Sequence, residues 1–185
     1  MVAIDPPLRA DARRNREAVL DAASMLFAQE GGDVQMSDIA AHAGVGVGTL
    51  YRHFADKKAL QAAIIGRRFA AVAELARDAE ELTDPWAALE TLLDGYLQAA
   101  YTDAGFRVSI LSPVEPAWHD IVAEKAAFGA SVSRIAERAV AAGLVRPDFT
   151  GDDFILITRG AMSNMRDDRT WRRFVELALD GIRTR

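Results

Sequence analysis

"MSDIAAHAGVGVGTLYRHFADKKAL", residues 36–60, sets three glycines, Gly44, Gly46 and Gly48, directly before an aromatic and basic cluster, Tyr51, Arg52, His53 and Phe54. Glycine inside a helix costs up to ~1 kcal/mol relative to alanine, yet the flanks carry helical spacing. Three readings compete: a phosphate-cradling loop, a flexible linker, and a surface that docks on something large. A dinucleotide fingerprint needs a preceding strand and a glycine or alanine where Thr49 stands. The triphosphate loop G-x-x-x-x-G-K-[ST] is absent. A linker does not suit flanks this apolar and this regular.

The docking reading fits. Two short helices joined by a glycine-containing turn make a helix-turn-helix. Ile39, Ala43, Val45 and Leu50 are spaced to form its small shared core, and Ala40 permits close approach. Gly44 suits the tight turn, where a positive φ is expected. Gly46, Val47, Gly48, Thr49, Tyr51, Arg52 and His53 then lie around the second helix, mostly outward. In this motif the second helix enters the major groove with its N-terminal residues nearest the bases. A bare Gly48 lets the backbone come close to DNA, while Leu50 and Phe54 read as core.

Outward from this stretch the chain reads as helix. "PPLRAD" is expected to be an extended arm. Val19, Ala23, Leu26 and Phe27 predict a helix over 12–30, stopped by Gly31 and Gly32. Ser37 is placed to cap the short helix before Gly44, and Asp56 to cap a long helix over 57–81. "TDPW" predicts a start with Asp84 as cap and Pro85 at the first helical position, with Leu89, Leu93, Tyr96, Leu97 and Ala100 buried. Gly105 is expected to end that region, and "FRVSILS" to give one or two turns. Pro116 predicts a helix to about Ala142, stopped by Gly143. Thr150 and Asp153 have capping-box spacing, and a last amphipathic helix carries Trp171, Phe174, Val175, Ala178 and Ile182. No useful β alternation is present. The fold class is all-α, about nine helices: an N-terminal three-helix unit over 1–56, then a helical bundle over 57–185 that includes the linking helix.

Composition narrows the function classes. Half of the 185 residues are hydrophobic and a quarter charged, an ordinary globular balance. The chain has no cysteine, which excludes disulfides and thiolate zinc sites. No apolar run approaches a bilayer span and no apolar signal core opens the chain, so a cytoplasmic protein without membrane partners is expected. The net charge of -5 is uneven: residues 1–68 hold 9 Lys/Arg and 8 Asp/Glu, and residues 69–185 hold 13 and 19. The early positives cluster, Arg9, Arg13, Arg14 and Arg16 together and Arg52, Lys57 and Lys58 together, as a face for polyanions does. Glu115 and His119 share a face without a second ligand pair, so no metal is assigned. No catalytic pattern appears, and neither a catalytic residue nor a cofactor is expected.

From Arg16 to Ile64, "REAVLDAASMLFAQEG" followed by the opening stretch resembles the DNA-binding domain of the TetR family of bacterial transcriptional regulators. The remainder matches in helix count, lengths and order. The resemblance implies a double-stranded DNA operator as partner and a C-terminal domain that dimerises and holds an inducer pocket. It implies that Val47, Thr49 and Arg52 lie near base edges, that Tyr51 and His53 contact the backbone or a base, and that Lys57 and Ser37 meet phosphate. Gly48 and Thr49 match the family. Gly46 departs from its small hydroxyl residue and offers only a backbone N–H.

The expected function is a homodimeric repressor on a palindromic operator, released by a small-molecule effector. Candidate pocket residues are Trp86, Tyr96, Tyr101, Phe106, Arg107, Trp118, His119, Phe128 and Met162, each equally suited to a filled core. Trp118, His119 and Asp120 mix aromatic area with polar groups. The dimer face is expected on the last two helices, with Gly160 and Ala161 at the close approach and Phe154, Ile157, Met165, Trp171 and Phe174 as anchors. Two other classes share such a bundle, a helical enzyme or ligand carrier and a protein-binding adaptor. Neither would show salt-dependent DNA binding.

Overall fold

A computed structural model describes residues 7–30, 33–111 and 122–184, and among them nine helices. The chain divides into two compact units, Met1–Ile64 and Ile65–Arg185, with the division inside the fourth helix.

The first unit holds α1 (Pro7–Glu30), α2 (Met36–His42), α3 (Val47–His53) and the start of α4 (Lys57–Glu80). Val19, Leu20, Ala23 and Leu26 of α1 share one stripe and close on Ile39, Ala40, Leu50, Phe54, Leu60 and Ile64. The helix begins at Pro7 rather than Ala12, because proline at the first helical position needs no N–H partner. Its described length ends at Glu30, and Gly31 and Gly32 lie outside the described residues.

The cap of α2 also differs from expectation. Gln35 is the N-cap and makes no side-chain cap bond; its amide instead donates to the Asp33 carbonyl at 2.9 Å. Ser37 falls inside the first turn. The α2 stop is as expected. Gly44 has φ +67°, the Gly44 N–H donates to Ala41 at 3.2 Å, and the Val45 N–H donates to Ala40 at 3.0 Å. These two bonds form a Schellman motif, which satisfies carbonyls the helix leaves open. Asp56 caps α4 through the Ala59 N–H at 2.8 Å.

The second unit adds α5 (Pro85–Thr102), α6 (Ala104–Leu111), α7 (Val122–Ala141), α8 (Gly151–Ser163) and α9 (Asp168–Ile182). Helix α5 is its centre and packs on α6, α7 and α8. Its expected stripe, Leu89, Leu93, Tyr96, Leu97 and Ala100, is buried throughout. Asp84 accepts from the Trp86 N–H with Pro85 following, Thr150 and Asp153 form the capping box, and Asp167 caps α9. Gly143, at φ +68°, ends α7 with the same pair of bonds as Gly44.

Gly105 does not end α5. The break falls at Asp103, whose extended backbone (φ -123°, ψ 92°) closes α5 and whose carboxylate accepts from the Phe106 N–H at 2.9 Å, opening α6. Aspartate competes with the ladder by bonding backbone N–H groups locally, so it starts helices as readily as it interrupts them. Pro116 lies outside the described residues, and α7 is described from Val122. Among the described residues, one isolated β-bridge joins Val145 to Arg183.

Candidate nucleic-acid interface

Helix α3 has two faces. Leu50 is fully buried and Phe54 nearly so, which fixes the helix against α1 and α2. Val47 (44 % exposed), Gly48, Tyr51 (50 % exposed) and Arg52 are open to solvent. Thr49 and His53 are half-buried at its edges. Gly46 is the N-cap, with φ -68° and ψ 143° and no side-chain cap bond. Its carbonyl accepts from Thr49 at 2.8 Å and Leu50 at 3.1 Å.

Gly48 has no internal explanation. A Cβ built there meets nothing within 4 Å. Packing does not require the glycine, and it weakens a helix of only seven residues.

The basic residues differ in what they touch. Lys57 is half-buried, with its ammonium donating to the Val34 carbonyl at 2.6 Å and lying 5.7 Å from the centre of the Phe27 ring. Lys58 beside it is exposed. The Arg16 guanidinium stacks 5.3 Å from the Phe54 ring centre, an arrangement in which the cation meets the negative ring face. Ser37 is exposed in the first turn of α2.

In the second unit the structure gathers some of the pocket candidates. The Tyr96 ring lies 4.8 Å from Phe128, 6.3 Å from Phe106 and 6.2 Å from Phe154, and Met162 is buried in the same core. Burial drives the Tyr96 phenol well above its ordinary pKa, opposed in part by Arg159. Trp86 belongs to the same core and Tyr101 packs against it, but their ring partners differ. Trp86 packs beneath the Arg183 guanidinium at 4.3 Å, Tyr101 faces Trp171 at 6.0 Å, and Arg107 donates to the Ala100 carbonyl at 2.8 Å. Trp118, His119 and Asp120 lie outside the described residues. A shallow surface concavity is lined elsewhere, by Ser133, Glu137, Phe149, Thr150 and Asp152. Among the described residues no cluster of three metal-ligating side chains occurs, and no helix is long and apolar enough to cross a membrane.

The expected dimer residues differ in exposure. Phe154, Ala161 and Trp171 are buried inside the protomer, Trp171 to 1 % exposure. Gly160 receives Phe174 of its own chain: a Cβ there would stand 2.7 Å from Phe174 Cζ. Ile157, Met165 and Phe174 are half-buried. The exposed apolar residues of these helices are Leu156 (70 %) and Leu177 (55 %), which sequence reasoning missed. The signal was present. Phe154, Thr158, Ala161 and Met162 define the buried stripe of α8, and Leu156, two residues on from Phe154, points away from it.

Comparisons with known proteins join both units to one group. A family model described as bacterial regulatory proteins, tetR family, matches residues 19–64, and one described as transcriptional regulator SbtR-like, C-terminal domain, matches residues 84–184. An HTH-type transcriptional regulator of Staphylococcus aureus is 44 % identical over 61 residues, which cover 32 % of this chain and 33 % of that protein. The chain thus matches about a third of the length of that curated relative. The solved structure of a TetR transcription regulatory protein from Mycobacterium vanbaalenii is 32 % identical, with a TM-score of 0.72 over 96 % of this chain and 100 % of that one. A TetR transcriptional regulator from Streptomyces coelicolor is 28 % identical, with a TM-score of 0.67 over 91 % of this chain and 98 % of that one.

Proposed function

Because the chain belongs to the TetR family of bacterial regulatory proteins, we propose that it is a cytoplasmic repressor that binds a palindromic operator as a homodimer, one α3 per half-site, and leaves it when a small molecule binds the second unit.

The observation that carries the DNA-reading assignment is Gly48. A solvent-facing glycine in the first turn of a seven-residue helix, with open space around it, weakens the helix for no internal gain. Close approach of a rigid external surface accounts for it, and the exposed Val47, Tyr51 and Arg52 surround it on that surface. Arg52 and Tyr51 present donors to phosphates and base edges. Ser37 and the first-turn amides of α2 serve the backbone. Lys58 is better placed than Lys57 to meet phosphate, since Lys57 already binds Val34.

In the second unit, an effector must bind one arrangement of the protein better than the other. The aromatic core around Tyr96 favours an apolar or aromatic ligand. Trp171 supplies a polar feature, a buried indole N–H without an acceptor among the described residues. A ligand carrying an acceptor there would satisfy it.

The test is selection of bound duplexes from random DNA, followed by titration at rising salt. The proposal predicts one enriched inverted repeat and affinity that falls steeply with salt through counterion release. Turnover of a small molecule without DNA affinity would favour an enzyme instead.

A further inference from the structure

The α3 surface holds two of the eight large hydrophobic side chains that stand exposed among the described residues, Val47 and Tyr51. They lie four apart on a seven-residue helix and therefore on one face. Gly48 sits between them, next to Val47 and three residues before Tyr51. With no Cβ at Gly48 and nothing within 4 Å of where one would be, the surface there is open: bare glycine backbone, with the Val47 isopropyl group and the Tyr51 ring on one side of it and exposed Arg52 on the other. This inference rests on the DNA-reading proposal above.

Val47 neither donates nor accepts a hydrogen bond. In the major groove the base edges present donors and acceptors at every pair, and a single apolar feature, the thymine C5-methyl. The minor groove presents no such group. We infer that the apolar surface of Val47 and Tyr51 beside the bare backbone of Gly48 reads a thymine methyl, with Val47 as its specificity-determining contact, and that each operator half-site carries a thymine at the pair facing the start of α3. Arg52 takes the polar edge of a neighbouring pair. A Cβ at position 48 would fill the space the methyl occupies.

The test uses the full-length protein and a duplex it has selected from random DNA. Each thymine is replaced in turn by deoxyuridine, which removes the methyl and keeps every hydrogen-bonding group. At one symmetry-related position the parent is expected to lose about fourfold in affinity per methyl. Val47→Ala is expected to bind thymine and uracil duplexes alike at that position, with unchanged helix content and melting temperature. If uracil is tolerated at every position by a parent that still holds its selected duplex, the methyl inference is overturned and the DNA-reading proposal stands. A uracil penalty that persists in Val47→Ala assigns the methyl to another side chain and overturns the inference too. Failure to select any duplex overturns both.

Discussion

The Lys57 ammonium lies 2.6 Å from the Val34 carbonyl oxygen, tying the first turn of α4 to the segment that leads into α2. The bond is charge-assisted and half-buried, the stronger kind. Lys57→Ala is therefore expected to lower the stability of the first unit by about 1.5–3 kcal/mol as well as weaken operator binding. Lys58→Ala is expected to leave stability unchanged and to reduce the salt slope of binding by about one. Thermal unfolding beside salt titration of each variant checks both. Equal melting temperatures for the two variants would sink this division of roles.

Gly48→Ala separates folding from binding. The substitution meets no atom within 4 Å and improves helix propensity, by up to about 1 kcal/mol, so the variant is expected to melt higher than the parent. Operator affinity is expected to fall by tenfold or more, because the methyl meets DNA instead. Calorimetry and a binding titration on the same preparation read the opposite signs.

Gly44 carries the turn that sets the angle between α2 and α3. At φ +67° an L side chain is strained whatever the space around it, at about 1–2 kcal/mol. Gly44→Ala is expected to lose that much stability, and operator affinity with it. Gly143→Ala, at φ +68° in the second unit, should lose similar stability while its effect on a purified, folded preparation's DNA binding stays small.

These cases show what was legible from the sequence and what was not. Gly44, Asp84–Pro85 and the Thr150–Asp153 pair are local signals, each needing only a few neighbouring residues to define a turn or cap. The exposed face of α3 was legible for the same reason: Leu50 and Phe54 mark the buried side. The role of Lys57 was not, because its partner lies 23 residues away in sequence and a lysine looks alike whether it faces phosphate or a carbonyl. Ser37 and Gln35 are both polar at adjoining turns, and only the backbone path decides which caps. Phe154 and Trp171 are apolar, but apolar identity does not say whether a side chain faces its own core or a partner.

Acid is expected to loosen the second unit at the α4–α7 contact. The Arg134 guanidinium bonds both Glu80 carboxylate oxygens, at 2.5 and 2.9 Å, and holds the Glu80 carboxyl below its ordinary value of 4.5. A folded pKa below the unfolded one gives stability that is present above the unfolded value and lost as pH falls through the folded value. The melting temperature of the parent should therefore drop more steeply below about pH 4.5 than that of Glu80→Gln, with the two curves parallel near neutrality. Arg138 donates to the Glu80 and Leu82 carbonyls at 2.5 and 2.6 Å, so the contact persists in the variant. Identical acid limbs for parent and variant would remove Glu80 from the account.

The proposed homodimer uses the exposed Leu156 and Leu177 rather than the buried Phe154 and Trp171. Leu156 is 70 % exposed on α8 and Leu177 55 % exposed on α9, and both lie off the stripes that face the protomer core. Burying each against a second copy removes apolar area from water, about 1.5–3 kcal/mol per leucine, and a carboxylate at either site would be desolvated without a partner. Leu156→Glu and Leu177→Glu are expected to run as monomers in light scattering with unchanged helix content, and to lose operator affinity because only one reading helix engages. Gly160→Ala supplies the contrast. Its added methyl would stand 2.7 Å from Phe174 Cζ of the same chain, so it should cost the protomer about 1–3 kcal/mol through overpacking while the folded fraction remains dimeric. A parental mass for both leucine variants would move the dimer face off these helices, and a monomeric Gly160→Ala would show that α8 and α9 must pack on each other before a second copy can dock.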